Sequence, residues 1–154
     1  MTAETLVFRQ ATERDLDTIV YMLSDDKMGS KRERYEHPLP DTYINAFHTI
    51  SDDPNIELIV ACHGDTVVGV QQVTFTPHLT YQGGWRATIE GVRTTLTERG
   101  KGLGSQLIQY AIQRAKERGC HIVQLTTDKQ RPDALRFYER LGFTASHEGL
   151  KLHL

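Results

Sequence analysis

Glycine occupies three alternate positions, Gly100, Gly102 and Gly104, in the stretch ERGKGLGSQL, directly ahead of a helical pattern. Glycine weakens regular structure, so a cluster of this kind marks a place that needs bare backbone or a left-handed conformation. Two phosphate-binding motifs fail on spacing. A P-loop requires Gly-Lys followed by Ser or Thr, and here Gly100-Lys101 is followed by Gly102. The dinucleotide fingerprint requires a third glycine where Ser105 stands, with an acidic residue at the end of the next strand. What survives is the physics common to both. Unpaired N–H groups at a helix N-terminus attract anions, and Arg99 and Lys101 add positive charge. A tight strand-to-helix turn explains the same glycines without any ligand.

Other side chains with chemical potential form no comparable pattern. The seven histidines show no ligand spacing, so no metal site is expected. Cys62 and Cys120 fit neither a disulfide framework nor a zinc pattern and read as buried thiols. The chain has 154 residues, 25% of them charged, with a formal net charge of −2. This describes one globular domain over residues 1–154, and the charge does not favour nucleic acid. No apolar run is long enough to span a bilayer, and MTAETLVFRQ lacks the features of a secretory leader. A cytoplasmic location with no membrane partner is the resulting expectation.

The elements that must position the glycine loop follow from periodicity. TLVFRQA reads as a strand, and Thr12 with Asp15 opens a helix carrying Leu16, Ile19, Val20 and Leu23. A charge-rich loop then leads to a second helix in DTYINAFHTI. IELIVAC and TVVGVQQVTF form a hairpin across HGD, and WRATIEGVRTTL is a further strand interrupted by Gly91. A glycine inside a strand predicts a bulge. Leu103, Leu107, Ile108, Ala111, Ile112 and Ala115 make a helical stripe closed by Gly119. HIVQLTT is a strand, RPDALRFYERLG a helix and LKLHL a last strand. The sum is an α/β (α+β) domain with a mixed sheet.

Taken together, IEGVRTTLTERGKGLGSQL and DALRFYERLGF resemble the GCN5-related N-acetyltransferase (GNAT) superfamily. Its acetyl-CoA signature, Arg or Gln followed by spaced glycines, is matched by Arg99, Gly102 and Gly104. The aromatic ending of its second motif is matched by Phe137 to Phe143. The segment from Trp85 to Phe143 is also similar to the branch containing aminoalkylphosphonate acetyltransferases. The resemblance implies six to seven strands with about four helices, acetyl-CoA as cosubstrate, and acetyl transfer to a primary amine of a small molecule. A protein lysine or N-terminus as acceptor, and a non-catalytic acyl-CoA-binding regulator, are the competing implications. A homodimer is compatible with it.

The resemblance also implies residue roles. The pyrophosphate would lie on the amides of Gly100, Lys101, Gly102, Leu103, Gly104 and Ser105, near Arg99. Pantetheine would run along Val92, Arg93 and Thr94, with the Val92 amide donating to the thioester carbonyl. Glu90 would be the general base, its basicity raised by partial burial; a salt bridge to Arg86 or Arg93 is the competing explanation. Tyr138 would protonate the departing thiolate, although Ala134, Phe137, Tyr138 and Leu141 also make an ordinary core stripe. Arg131 stands where the family often has asparagine and is assigned to the cofactor side. Tyr35, Arg32 and Glu36 are candidate acceptor contacts, and Tyr81 and Trp85 candidate walls of the acceptor site.

Overall fold

The computed structural model describes residues 5–154, so the first four residues of the N-terminal stretch lie outside the described residues. These residues fall into two compact units divided after Gln124. The first unit opens with β1 (Leu6–Gln10), a short 3-10 turn (Glu13–Asp15) and helix α1 (Leu16–Ser24). The expected capping box is present: the Asp15 carboxylate accepts from the Thr12 N–H at 2.7 Å. Arg9 donates to the same carboxylate at 2.7 and 3.0 Å and holds it below the usual carboxylate range.

Helices α2 (Gly29–Arg32) and α3 (Asp41–Asp52) follow, then the hairpin of β2 (Ile56–His63) and β3 (Thr66–Pro77). A one-turn segment, α4 (Thr80–Gly83), leads to β4 (Trp85–Thr94), helix α5 (Leu103–Glu117) and β5 (Cys120–Gln124). The sheet order is β1-β2-β3-β4-β5, with only the β4/β5 pair parallel.

Successive strand residues point to opposite faces, and the two faces are covered by different helices. Val60, Cys62, Val67 and Val70 pack against Ile19 and Met22 of α1. Ala61 and Val68 pack against Leu103 and Leu107 of α5. The close approach of α5 is built into β3, where a Cβ on Gly69 would lie 3.1 Å from Leu107. Cys62 is buried and Cys120 half-buried, and desolvation pushes both thiols up. Neither is in a disulfide.

An ion network fastens the other end of α5 to β2. Glu57 is 4% exposed and takes two bonds from Arg114, at 2.9 and 2.6 Å, with Arg118 3.9 Å away. Removing one partner of such a pair strands the other charge. Arg114→Gln is therefore expected to cost about 3 kcal/mol of stability, read as a lower urea midpoint with unchanged slope.

The second unit, Leu125–Leu154, contains helix α6 (Pro132–Arg140), with Pro132 in its first turn and Gly142 just beyond its end. Among the described residues five strands form where six to seven were expected, and LKLHL pairs with none of them. Its alternating leucines, Leu150, Leu152 and Leu154, are exposed. Alternation favours a strand only where a neighbouring strand completes the ladder. Among the described residues the helix count is six rather than about four, because α2 and α4 form single turns inside segments read as loops. The mixed α/β class stands.

Candidate functional site

Strand β4 departs from both of its neighbours along its second half. It pairs with β5 only from Trp85 to Thr88. On the other side, the ladder to β3 passes from Gln72↔Glu90 to Val70↔Arg93, so Gly91 and Val92 together oppose Gln71. That is the bulge expected from the sequence, with Gly91 at φ +63. A bulge increases twist and redirects the strand. Beyond Thr88, the edge of β4 away from β3 carries no strand pairing among the described residues. Val92, Arg93 and Thr94 therefore lie on a strand segment able to accept an extended ligand along that edge.

The glycine loop follows at once. Gly100 and Gly102 hold φ of +81 and +84, a region L-residues enter at a cost. A Cβ on either would meet nothing within 4 Å, so this face of the loop is open. Helix α5 starts with no side-chain cap and no acidic residue in its first turn. The Lys101 N–H is committed to the Glu98 carbonyl at 3.2 Å, which removes it from the expected set of anion donors. The amides of Gly100, Gly102, Leu103, Gly104 and Ser105 have no backbone partner among the described residues. Uncapped amides at the positive end of a 15-residue helix are groups whose dipole and free N–H donors favour an anion.

The two cations beside the loop reach to different neighbours. Arg99 donates to the Asp25 carbonyl at 3.3 Å. Lys101 lines a cleft of about 320 Å³ with Leu6, His63, Glu98, Leu103 and Gln106. Charge at the loop is thus split between two sides rather than pooled.

Glu90 is exposed, so the partial burial expected to raise its basicity is not supplied by the described residues. Nor is it in a salt bridge with Arg86 or Arg93. Arg93 pairs with Asp26, 3.2 Å from Nε to Oδ2, and Arg86 donates to Thr80 Oγ1 at 3.3 Å.

In the second unit, Tyr138 is half-buried, and its ring meets Phe137 and Phe143 edge-on at 5.0 and 5.8 Å. Arg131 occupies the N-cap position of α6, where its carbonyl accepts from the Ala134 N–H at 3.0 Å.

Several residues expected around the acceptor are occupied locally. The Tyr35 hydroxyl donates to Asp17 at 2.9 Å, Arg32 pairs with Glu33, and Glu36 pairs with Arg34. The Tyr81 ring lies tilted against His121 at 4.9 Å, and Trp85 begins β4 at the end opposite the bulge. Tyr81 and Trp85 therefore belong to the far hairpin. Sequence reasoning missed Gln71, which is fully buried opposite the bulge and donates to the Leu107 carbonyl at 2.8 Å. It also missed Asp26. Its only signal was an aspartate three residues before Gly29, the spacing of a side-chain cap. Among the described residues, no group of three His, Cys, Asp or Glu side chains is placed to hold a metal, and no helix is long and apolar enough to cross a membrane.

Residues 20–143 match the sequence model of the acetyltransferase (GNAT) family. The chain belongs to that family. It is 30% identical over 139 residues to the aminoalkylphosphonate N-acetyltransferase of Salmonella typhimurium, covering 90% of this chain and 85% of that protein. It is 34% identical over 97 residues to the glucosamine 6-phosphate N-acetyltransferase of Trypanosoma brucei brucei, covering 62% and 64%. A crystal structure of a transcriptional regulator from Bacillus halodurans C-125 is 67% identical, with a TM-score of 0.95, 97% of this chain covered and 100% of that one. The GNAT acetyltransferase family is thus the one that this chain's glycine-loop and aromatic motifs resemble.

Proposed function

We propose that this GNAT chain is a single N-acetyltransferase domain that moves the acetyl group of acetyl-CoA directly to a primary amine of a small molecule. The observation that carries the reading is the junction of a bulged, half-unpaired β4 with an uncapped, open glycine loop. The loop amides offer donors for a pyrophosphate, with Arg99 beside them. The free edge of β4 offers backbone groups for an extended pantetheine amide chain, and the Val92 N–H would donate to the thioester carbonyl oxygen.

Glu90, exposed at the bulge, would take the proton released as the amine nitrogen bonds to the acyl carbon. Tyr138 would give a proton to the sulfur as the carbon–sulfur bond breaks. Arg131 is assigned to the cofactor on the family pattern alone. The two named N-acetyltransferase relatives act on amines that also carry a phosphonate or a phosphate. An amine bearing a phosphorus oxyanion is therefore the first acceptor class to examine. Release of free thiol from acetyl-CoA, followed across aminoalkylphosphonates, amino-sugar phosphates, aminoglycosides, polyamines and amino acids, tests the reading. Turnover confined to one or a few of these small amines supports it.

A second reading is favoured by the name of the 67% identical relative: acyl-CoA binding without turnover, in the service of regulation. It predicts binding of acetyl-CoA and no thiol release with any amine. The net charge of −2 gives no support to direct DNA contact.

Tyr138→Phe tests the acid role within the first reading. A phenol titrates near pH 10 in water and stays protonated at neutral pH, so it is able to donate. Phenylalanine keeps the edge-on ring contacts to Phe137 and Phe143. Acetyl-CoA affinity should stay level, while turnover falls by at least about tenfold, or roughly 1.4 kcal/mol. Full turnover in this variant would reduce Tyr138 to a packing residue.

A further inference from the structure

A polar side chain is locked into the core opposite the bulge. Gln71 of β3 is fully buried, and it is the residue that Gly91 and Val92 together oppose. Its Nε2 donates to the Leu107 carbonyl of α5 at 2.8 Å, while its Oε1 is buried with no hydrogen-bond partner among the described residues. The contact with Leu107 fixes the orientation of the amide, because turning it over would set oxygen against oxygen. Leu107 is held at a second point as well. Gly69, on the same strand, lets the helix lie close, since a Cβ there would come within 3.1 Å of Leu107 and 3.3 Å of Leu103. Val92 packs on the same cluster of Ala61, Val68, Leu103 and Leu107. The first turn of α5, which carries the loop amides, and the bulge of β4 are therefore joined through Leu107 and Gln71.

Stability alone does not account for a glutamine at this place. One ordinary hydrogen bond contributes less than an unpaired buried acceptor costs, so an apolar side chain of similar volume would hold the core at least as well. Proteins carry such costs where function sets the geometry. We infer that Gln71 is a positioning residue for acyl transfer: it sets the height of α5 against the bulge, and with it the distance from the loop amides to the Val92 N–H. That role rests on the proposed function, in which those amides take the pyrophosphate and the Val92 N–H meets the thioester carbonyl oxygen. Both ends of one donor molecule must then be met at once, and a donor aimed at a developing oxyanion works only at hydrogen-bond distance. A misplacement of about 1 Å is enough to cost about 10²-fold in rate. Being fully buried, Gln71 acts through α5 and Val92 rather than by touching the amine.

The test compares the wild type with Gln71→Met, which fills a similar volume and removes both the bond to Leu107 and the unpaired oxygen. Acetyl-CoA isotopically labelled at the thioester carbonyl is bound to each protein without amine, and difference infrared spectroscopy reads the carbonyl stretch. In the wild type the stretch should fall below its value in solution, because a hydrogen bond weakens the carbonyl double bond. In Gln71→Met it should return most of the way to the solution value, while the melting temperature does not fall and affinity for free CoA is unchanged. With any amine the enzyme accepts, kcat should fall by about tenfold or more with KM little changed, the pattern of an interaction made in the transition state. Gly69→Ala, which crowds Leu107 while leaving Gln71 in place, should move the stretch in the same direction. A wild-type stretch and rate in Gln71→Met overturn the inference. So does a drop in its melting temperature, which would make Gln71 a stability residue. A wild type that binds acetyl-CoA and leaves the stretch at its solution value overturns the Val92 assignment, and this role with it. A wild type whose melting temperature ignores acetyl-CoA overturns the cofactor assignment itself.

Discussion

Gly102→Val is expected to eliminate the rise in melting temperature that acetyl-CoA gives the wild type. Gly102 has φ +84 and ψ 6, a left-handed conformation that a β-branched residue adopts at a cost of about 1–3 kcal/mol. No protein atom lies within 4 Å of the added Cβ, so the protein itself has room for part of the side chain. What the side chain obstructs is the open face on which a pyrophosphate would meet the loop amides. Strain and obstruction can be separated with Gly119→Val. Gly119 also has positive φ, +75, and open space around its Cβ, but it lies beyond the other end of α5. Gly119→Val should lose comparable stability and keep the full acetyl-CoA shift. A Gly102→Val protein that folds and keeps its shift would remove the glycine loop from the cofactor site.

Glu90→Gln carries the largest expected change in rate. Loss of a general base typically costs about 10²- to 10⁴-fold in turnover, and acetyl-CoA affinity should be unaffected. Glutamine keeps the shape of the side chain and its exposure, and Glu90 has no ion pair with Arg86 or Arg93 to lose. Stability should therefore hold. The ascending limb of the pH–rate profile should disappear in the variant, because the carboxylate accepts a proton only when ionised. Turnover within twofold of wild type, or an unchanged profile, would place the base elsewhere or mean that the amine arrives unprotonated.

The sequence was most legible where backbone conformation is dictated locally. Gly91 inside a β-branched run required a bulge, and Gly119 after a helical stripe required a left-handed stop; both are present. Leu103, Leu107 and Ala111 indicated the face of α5 that meets the sheet because only that face repeats at helical spacing. Legibility ended where structure depends on partners distant in sequence. The alternation in LKLHL has no pairing strand to realise it among the described residues. Arg93 reads as a cofactor-edge residue or a partner of Glu90 until the fold brings Asp26, far earlier in the chain, within 3.2 Å of it. The exposure of Glu90 and the commitment of the Lys101 amide to Glu98 were equally beyond periodicity.

Direct transfer of an acetyl group from acetyl-CoA to an amine nitrogen is the central claim. The most direct measurement mixes the protein with acetyl-CoA carrying an isotopic label in its acetyl group, together with an aminoalkylphosphonate. Mass spectrometry then locates the label in the phosphonate and in the protein during the first turnover. The account predicts label on the amine nitrogen of the phosphonate, free CoA in equal amount and none bonded to the protein. Labelled protein formed before the product would contradict direct transfer. Acetyl-CoA that binds but yields its label to neither this amine nor any other in the panel would contradict the enzyme.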